Sequence, residues 1–227
     1  MADGTQIVAV AAVASHNLAQ NLVLTQRGYV PANLVVTTGL VAWARTHGRS
    51  WDDIGLGSRR APTGLVIGVL VGAAAVGLLS RAARDRRLLS TFDDTRFGST
   101  HSEKWFNALV RFPIGTALYE EVAFRGVLPS LLVGGGMRPL RAEVAAAGLF
   151  GLWHVIPTWQ AVEYRSIEPV ARSRRVGIAL GGAILSALAG LGLSLLRRLA
   201  GTLAAPWSAH ALVNSGAYLI SLRRRVS

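Results

Sequence analysis

The chain has 227 residues, of which 51% are hydrophobic and only 16% are charged, and Lys and Arg outnumber Asp and Glu by 24 to 12. A composition so apolar and so weakly charged excludes a disordered chain and argues against an ordinary soluble domain. The absence of cysteine excludes disulfides and cysteine-ligated metal centres. The net charge of +12 suggests nucleic-acid binding, but the basic residues fall between apolar runs without aromatic–basic interleaving or a recognised motif, so we expect no nucleic-acid partner.

Seven apolar segments follow one another along the chain, and none shows strand-like alternation of useful length. They cover residues 6–24, 30–43, 62–80, 113–133, 142–156, 176–196 and 203–222. The sequence therefore predicts an all-α fold: a polytopic transmembrane helical bundle with about seven membrane segments, forming a single domain over residues 1–227. Because a helix needs roughly 20 residues to cross the hydrocarbon core, the short second and fifth segments are expected to be tilted, interfacial or buried among neighbours.

Small and polar residues predict how these helices pack. The third segment carries Gly64, Gly68 and Gly72 at a spacing of four, which favours close approach of a second helix. Close packing is expected in the same way at the glycines of the sixth segment, Gly181, Gly182, Gly190 and Gly192. The first segment presents a polar face that should point into the bundle, formed by His16, Asn17, Gln20 and Asn21.

The loop charges predict an orientation. With seven crossings and an outside N-terminus, the loops on the cytosolic side carry more Lys and Arg than the opposite loops. The densest basic clusters lie within residues 81–87, 172–175 and 223–225. This bias predicts a cytosolic C-terminus, next to anionic lipid.

Ionisable residues inside apolar segments are costly, so each is a candidate for function. Glu121 and Arg125 stand four residues apart in the fourth segment with the acid first, the favoured order for an intrahelical ion pair. Glu120 lies about 100° away around the helix and cannot share that arginine as easily. It is therefore the better candidate for a general base acting on water.

Two further polar pairs occur at helical spacing. Phe150 and His154 end the fifth segment, and His210 and Asn214 lie in the seventh. Two histidines, a glutamate and an asparagine can position a water molecule and donate hydrogen bonds to a developing oxyanion. Two histidines and one glutamate are also the donors of a zinc site with an open water position.

The three elements resemble the motifs of the CPBP family of intramembrane proteases, the CAAX-protease and bacteriocin-processing (Abi) group. That family shows EExxxR, then FxxxH, then HxxxN or HxxxD, each on its own membrane helix. Here they read Glu120-Glu121-(x)3-Arg125, Phe150-(x)3-His154 and His210-(x)3-Asn214, in the same order. Residues 51–56 also resemble the short loop that these proteins often have upstream. The motif-bearing catalytic core covers residues from about 105 to 222.

The resemblance implies a hydrolase: a membrane-embedded endopeptidase acting on a peptide or protein segment near the cytosolic face of a bacterial plasma membrane. Its catalytic residues would be Glu120, which activates water, His154, which orients it, and His210 and Asn214, which stabilise the oxyanion. Glu121 and Arg125 would hold their helix in register, with Phe150 as further structural support. No HExxH pair occurs, which favours a metal-free glutamic protease with no cofactor, and a divalent metal such as zinc is the alternative. A prenylated substrate is not assumed.

Two further expectations can be checked. Counted from Pro113, Glu120 lies about 10 Å along its helix, which predicts a cavity in the cytosolic half of the membrane preceded by an interfacial stretch with Trp105, Phe106 and Arg111.

The competing function is a non-catalytic membrane protein, either a peptide-binding immunity factor or a small transporter, because polar residues within helices also line transport pathways. The internal repeats that many transporters show are not found.

Overall fold

In the computed structural model the structure describes residues 4–57, 59–85, 100–165 and 170–223, and within these ranges the chain is helical without strands. The elements are α1 (Gly4–Leu22), α2 (Gln26–Thr46), α3 (Trp51–Ile54), α4 (Ala61–Ala82), α5 (His101–Phe106), π1 (Asn107–Leu118), α6 (Tyr119–Glu121), π2 (Val122–Val127), α7 (Leu128–Gly134), α8 (Pro139–Trp153), α9 (Val155–Arg165), α10 (Arg172–Ala200) and α11 (Ala204–Arg223). Every predicted apolar segment forms helix, so the all-α prediction is confirmed over these ranges. Five arginines that enter the charge bias lie outside the described residues, namely Arg86, Arg87, Arg96, Arg224 and Arg225.

The second segment is not short, contrary to prediction. Helix α2 has 21 residues, which at 1.5 Å per residue is about 31 Å, enough to cross a hydrocarbon core. Its apolar run is interrupted by polar residues such as Asn33 and Thr37, but both are buried inside the bundle. Asn33 donates a hydrogen bond to the Gly115 carbonyl at 2.7 Å, so a partner helix supplies what water otherwise would.

The fourth segment belongs to a longer helical run that begins at His101, not at Pro113. Thr100 caps it, because its hydroxyl accepts from the Glu103 backbone N–H while the Glu103 carboxylate accepts from the Thr100 backbone N–H. The run passes through two π-helical stretches, π1 and π2, and Glu120 and Glu121 lie in the short α6 between them. Since the helix starts earlier than predicted, the depth of Glu120 measured from Pro113 loses its reference point. Helical stretches of π geometry are rare and often occur at functional sites.

The fifth segment forms two helices. Helix α8 ends at Trp153, His154 lies at the break, and α9 continues to Arg165. The predicted end of this segment near Ile156 is therefore wrong, because the chain resumes a helix immediately after His154.

Helices α4 and α11 approach each other closely, as the glycine spacing predicts. A Cβ added at Gly68 would lie 2.1 Å from the Ala205 carbonyl oxygen, so only glycine allows this packing. In α10, Gly182 and Gly190 also pack against neighbours. A Cβ added at Gly181 or Gly192 would meet no neighbouring atom within 4 Å in the part of the chain that the structure describes, so the prediction of close packing is wrong for these two.

The polar face of α1 points into the bundle, as predicted. His16 and Asn17 are buried, His16 Nε2 hydrogen-bonds to the Asn33 side chain, and Asn17 Nδ2 donates to the Trp153 carbonyl at 2.8 Å. Gln20 and Asn21, one turn further on, line an internal cavity.

Two of the described helices, α4 and α10, are long and apolar enough to cross a membrane, with mean hydropathies of 2.2 and 2.0 over their most apolar stretches. Only 17% and 11% of those stretches is buried, whereas a soluble core helix would be mostly covered. Their exposed leucines, isoleucines and valines are therefore suited to contact lipid. The number of crossings, about seven, stays a prediction.

Candidate active site

The Glu120 side chain is buried, with 4% of the residue exposed. Its Oε1 accepts a hydrogen bond of 3.0 Å from the Trp153 indole Nε1. Its Oε2 has no hydrogen-bond partner among the described residues and lies 3.7 Å from His210 Nε2. One carboxylate oxygen is thus held by α8, while the other is next to an imidazole of α11.

Glu121 joins three parts of the bundle. Its Oε1 accepts from Arg125 Nη1 at 3.1 Å and from His210 Nδ1 at 2.7 Å. The predicted Glu121–Arg125 ion pair is therefore confirmed, and it also fixes the histidine of α11. The guanidinium of Arg125 lies 3.9 Å above the centre of the Phe150 ring, so that Phe150 links this ion pair to α8.

The ring orientations of both motif histidines follow from their acceptors. His154 Nδ1 lies 2.8 Å from the Phe150 carbonyl oxygen, and His210 Nδ1 lies 2.7 Å from the Glu121 carboxylate. A carbonyl oxygen and an ionised carboxylate only accept, so each Nδ1 carries the proton. In the neutral ring each Nε2 is then an acceptor, and it becomes a donor only when the ring is protonated.

A cavity of about 550 Å³ opens beside these residues. Three of the four predicted catalytic residues, Glu120, His154 and Asn214, line it. His210 is not among the lining residues and reaches the site through its neighbour Glu120. Side chains of α1, α2, π1, α9 and α11 make up most of the remaining wall, including Gln20, Asn21, Gln26, Tyr29, Arg111, Gln160 and Tyr218.

Sequence reasoning missed two prominent residues of this site. Trp153 stands directly before His154, and the rule that a buried indole N–H needs an acceptor could have drawn attention to it. Arg111 was expected in an interfacial stretch, but it is buried at the cavity wall over the Tyr29 ring, where it donates to the Gln26 side chain. Its position in an apolar run was the available signal. Trp105 and Phe106 are exposed on α5.

The site also contains side chains of the kinds that bind zinc. The lone pairs of His154 Nε2 and His210 Nε2 and the Glu120 carboxylate are donors that zinc accepts. Over the described ranges, however, no three histidine, aspartate or glutamate side chains come close enough together to hold one ion. The arrangement therefore does not fit a preformed zinc tripod.

The fold and the site define a helical protein with exposed apolar helices and a buried cluster of glutamate and histidine side chains beside a cavity. The family model of the Type II CAAX prenyl endopeptidase Rce1-like proteins matches residues 102–216, half of the chain, and the chain belongs to this family. Neither a curated protein sequence nor a solved structure matches it. The resemblance read from the three motifs is thereby confirmed, and membership indicates a membrane-embedded protease that acts on a peptide or protein substrate.

Proposed function

We propose that this protein is an intramembrane endopeptidase in which Glu120 activates a water molecule for attack on a peptide bond. The observation that carries the proposal is the position of the Glu120 carboxylate at the cavity wall, buried, held at Oε1 by Trp153 and, among the described residues, without a hydrogen-bond partner at Oε2 beside His210. Glu121 Oε2 also has no partner among the described residues, but Glu120 lines the cavity whereas Glu121 does not, so the Glu120 carboxylate is the one placed beside the space for a substrate.

In the proposed reaction Glu120 takes a proton from water as the water oxygen attacks the carbonyl carbon of the substrate. The tetrahedral intermediate then collapses, the C–N bond breaks, and the proton held by Glu120 passes to the leaving amine. The products are a carboxylic acid and an amine, so water has been added across the peptide bond. His154, in the same cavity, orients the water through Nε2.

Asn214 and His210 are the proposed oxyanion partners. The Asn214 amide offers N–H donors in every protonation state, whereas His210 can donate from Nε2 only when its ring is protonated. Glu121 fixes the orientation of this ring, because its carboxylate accepts from His210 Nδ1. Removal of one oxyanion donor in acyl-transfer enzymes typically lowers kcat by a factor of about 100 to 1000.

The proposal routes no step through a metal, because the described donors do not converge on one ion. The glutamic-type reaction uses only residues of this chain. Zinc titration of purified protein is the matching test, and activity that is lost on chelation and restored by zinc would require the metal-dependent type instead.

We further propose a bundle of about seven crossings in a bacterial plasma membrane, with the C-terminus in the cytosol and the single domain's catalytic core near residues 105–222. The lipid-facing character of α4 and α10 supports the membrane setting, and the excess of loop arginines on one side supports the orientation.

The test is proteolysis of a peptide library by protein reconstituted in liposomes, with Glu120→Gln assayed beside it. Gln keeps the shape but cannot take the proton, so turnover should fall by a factor of at least about 1000 while expression and unfolding temperature stay close to the wild type. Glu143→Gln, at the partly exposed ion pair with Arg198, is the matched control and should keep full activity. Retained function in Glu120→Gln would instead favour the non-catalytic alternative, a peptide-binding or transport protein.

A further inference from the structure

We propose that the N-terminal helix α1 is part of the catalytic apparatus: Asn17 secures the α8–α9 break through the Trp153 carbonyl, and Trp153 in turn orients the Glu120 carboxylate. The inference rests on the proposed function of Glu120. It adds two positioning residues, one of them on a helix outside the family-matched residues 102–216.

The break between α8 and α9 lacks one backbone hydrogen-bond donor. In an uninterrupted helix the Trp153 carbonyl would accept from the backbone N–H of residue 157, but that residue is proline and has no N–H. The next carbonyl along, that of His154, does accept in this way, from Thr158 N at 3.0 Å. The sequence therefore leaves one carbonyl, that of Trp153, without its helical partner.

Helix α1 supplies a side-chain donor in place of the missing backbone N–H. Asn17 Nδ2 of α1 donates to the Trp153 carbonyl oxygen at 2.8 Å, and Asn21 Nδ2 donates to Asn17 Oδ1 at 3.0 Å, which fixes the direction of the amide. The His16 ring adds a contact with the Trp153 ring, with 6.3 Å between centroids. Helix α1 thus holds both the backbone and the side chain of Trp153.

The Trp153 indole connects the contact with α1 to the Glu120 carboxylate. Trp153 Nε1 donates to Glu120 Oε1 at 3.0 Å, and the indole is in contact with the rings of Tyr119 and Phe124. Because Oε1 is engaged, Oε2 is the oxygen left to take the proton. A hydrogen bond to a charged group from a donor held in this way also keeps the carboxylate from rotating away.

His154, which follows Trp153 in the chain, lies at the same break. Its Nδ1 is held by the Phe150 carbonyl, and its backbone lies at the break that Asn17 secures. One contact from α1 therefore acts on two of the predicted catalytic residues, Glu120 through the indole and His154 through the backbone.

The experiment removes the indole donor and reads kcat and KM separately in reconstituted protein. Trp153→Phe, and replacement of Trp153 by 3-benzothienylalanine, which keeps the bicyclic ring but has sulfur in place of N–H, should lower kcat about 10- to 100-fold with KM within about twofold of the wild type. Trp207→Phe is the matched control, because its indole donates at 2.9 Å to the Pro113 carbonyl and not to a carboxylate, and it should keep the wild-type kcat. The benzothienyl variant isolates the hydrogen bond if Trp153→Phe folds poorly.

The Asn17 arm uses a double-mutant cycle. Asn17→Leu should lower both kcat and the unfolding temperature, since it leaves the Trp153 carbonyl buried without a donor. Adding Pro157→Ala restores a backbone N–H at residue 157 and should recover the unfolding temperature, because the carbonyl regains a helical partner. Additive effects of the two substitutions on unfolding temperature would overturn the assignment to Asn17.

The outcomes separate this inference from the function on which it rests. A folded wild-type protein that cleaves no peptide, or an active Glu120→Gln variant, would remove the proposed function. An active wild type, an inactive Glu120→Gln variant and a benzothienyl variant with the wild-type kcat would leave the protease intact and refute the positioning role of Trp153.

Discussion

Glycine at position 68 offers a quantitative test of how α4 supports the site. A Cβ at Gly68 would lie 2.1 Å from the Ala205 carbonyl oxygen and 2.1 Å from Ser208 Oγ, while ordinary contact begins near 3.4 Å. In Gly68→Ala the two helices must therefore separate locally by roughly 1 Å, and overpacking of this kind costs about 1–3 kcal/mol. Because His210 follows two residues after Ser208 on α11, a shift of this helix should also reduce turnover.

Gly77 in the same helix provides the control, because a Cβ there meets no atom within 4 Å over the described ranges. Gly77→Ala should be neutral or should stabilise by about 0.5–1 kcal/mol, since alanine loses less backbone entropy than glycine in a helix. The assay is thermal unfolding of both variants in the same lipid or detergent, with circular dichroism as the signal. At about 2–4 °C per kcal/mol for a chain of this length, Gly68→Ala should melt at least ~2 °C below Gly77→Ala. Equal unfolding temperatures for the two variants would refute the inferred α4–α11 packing.

Three other substitutions test the buried ion pair and the capping box at the start of α3. Arg125→Met should destabilise the protein by about 3–5 kcal/mol, because it leaves the buried Glu121 carboxylate without its cation. The stability of Arg125→Lys should fall between that of this variant and that of the wild type, because lysine keeps the charge but not the planar stack on Phe150. Unfolding measurements that rank the Lys variant below the Met variant would contradict this. In the capping box before α3, the Ser50 backbone N–H donates to Asp53 Oδ2 at 2.8 Å, and together with the Ser50 hydroxyl and Arg49 it lowers the pKa of Asp53. A lowered pKa means that this stabilisation is present above the usual pKa of about 3.9 and is lost as pH falls through the folded-state value. The difference in unfolding temperature between the wild type and Asp53→Asn should therefore shrink below about pH 4. A difference that stays constant down to pH 2 would argue against this contribution of Asp53.

The helices were predictable because their determinants are local. Apolar runs predict helix in each of the seven segments, although two of the runs are short, and the spacing of Gly64, Gly68 and Gly72 predicts a close helix contact. The ends of α2 were missed because polar residues within it are satisfied by a distant partner. Asn33 in α2 bonds to the Gly115 carbonyl, and a hydropathy window cannot see a partner 82 residues away.

The site divides in the same way. The Glu121–Arg125 pair and the Phe150–His154 contact are four residues apart, so helix geometry alone brings each pair together. The contacts between helices, such as those from Trp153 to Glu120 and from Asn17 to the Trp153 carbonyl, depend on how the bundle packs.

The order and spacing of three motifs by themselves determined the family of this protein and the candidate residues, because chemistry of this kind requires particular side chains at helical intervals. The tertiary structure alone decided which oxygen of Glu120 is engaged, that His210 is tied to Glu121, and that a helix from the other half of the chain reaches the break beside His154. Those outcomes depend on the relative position of separate helices, which long-range packing sets and local sequence does not encode.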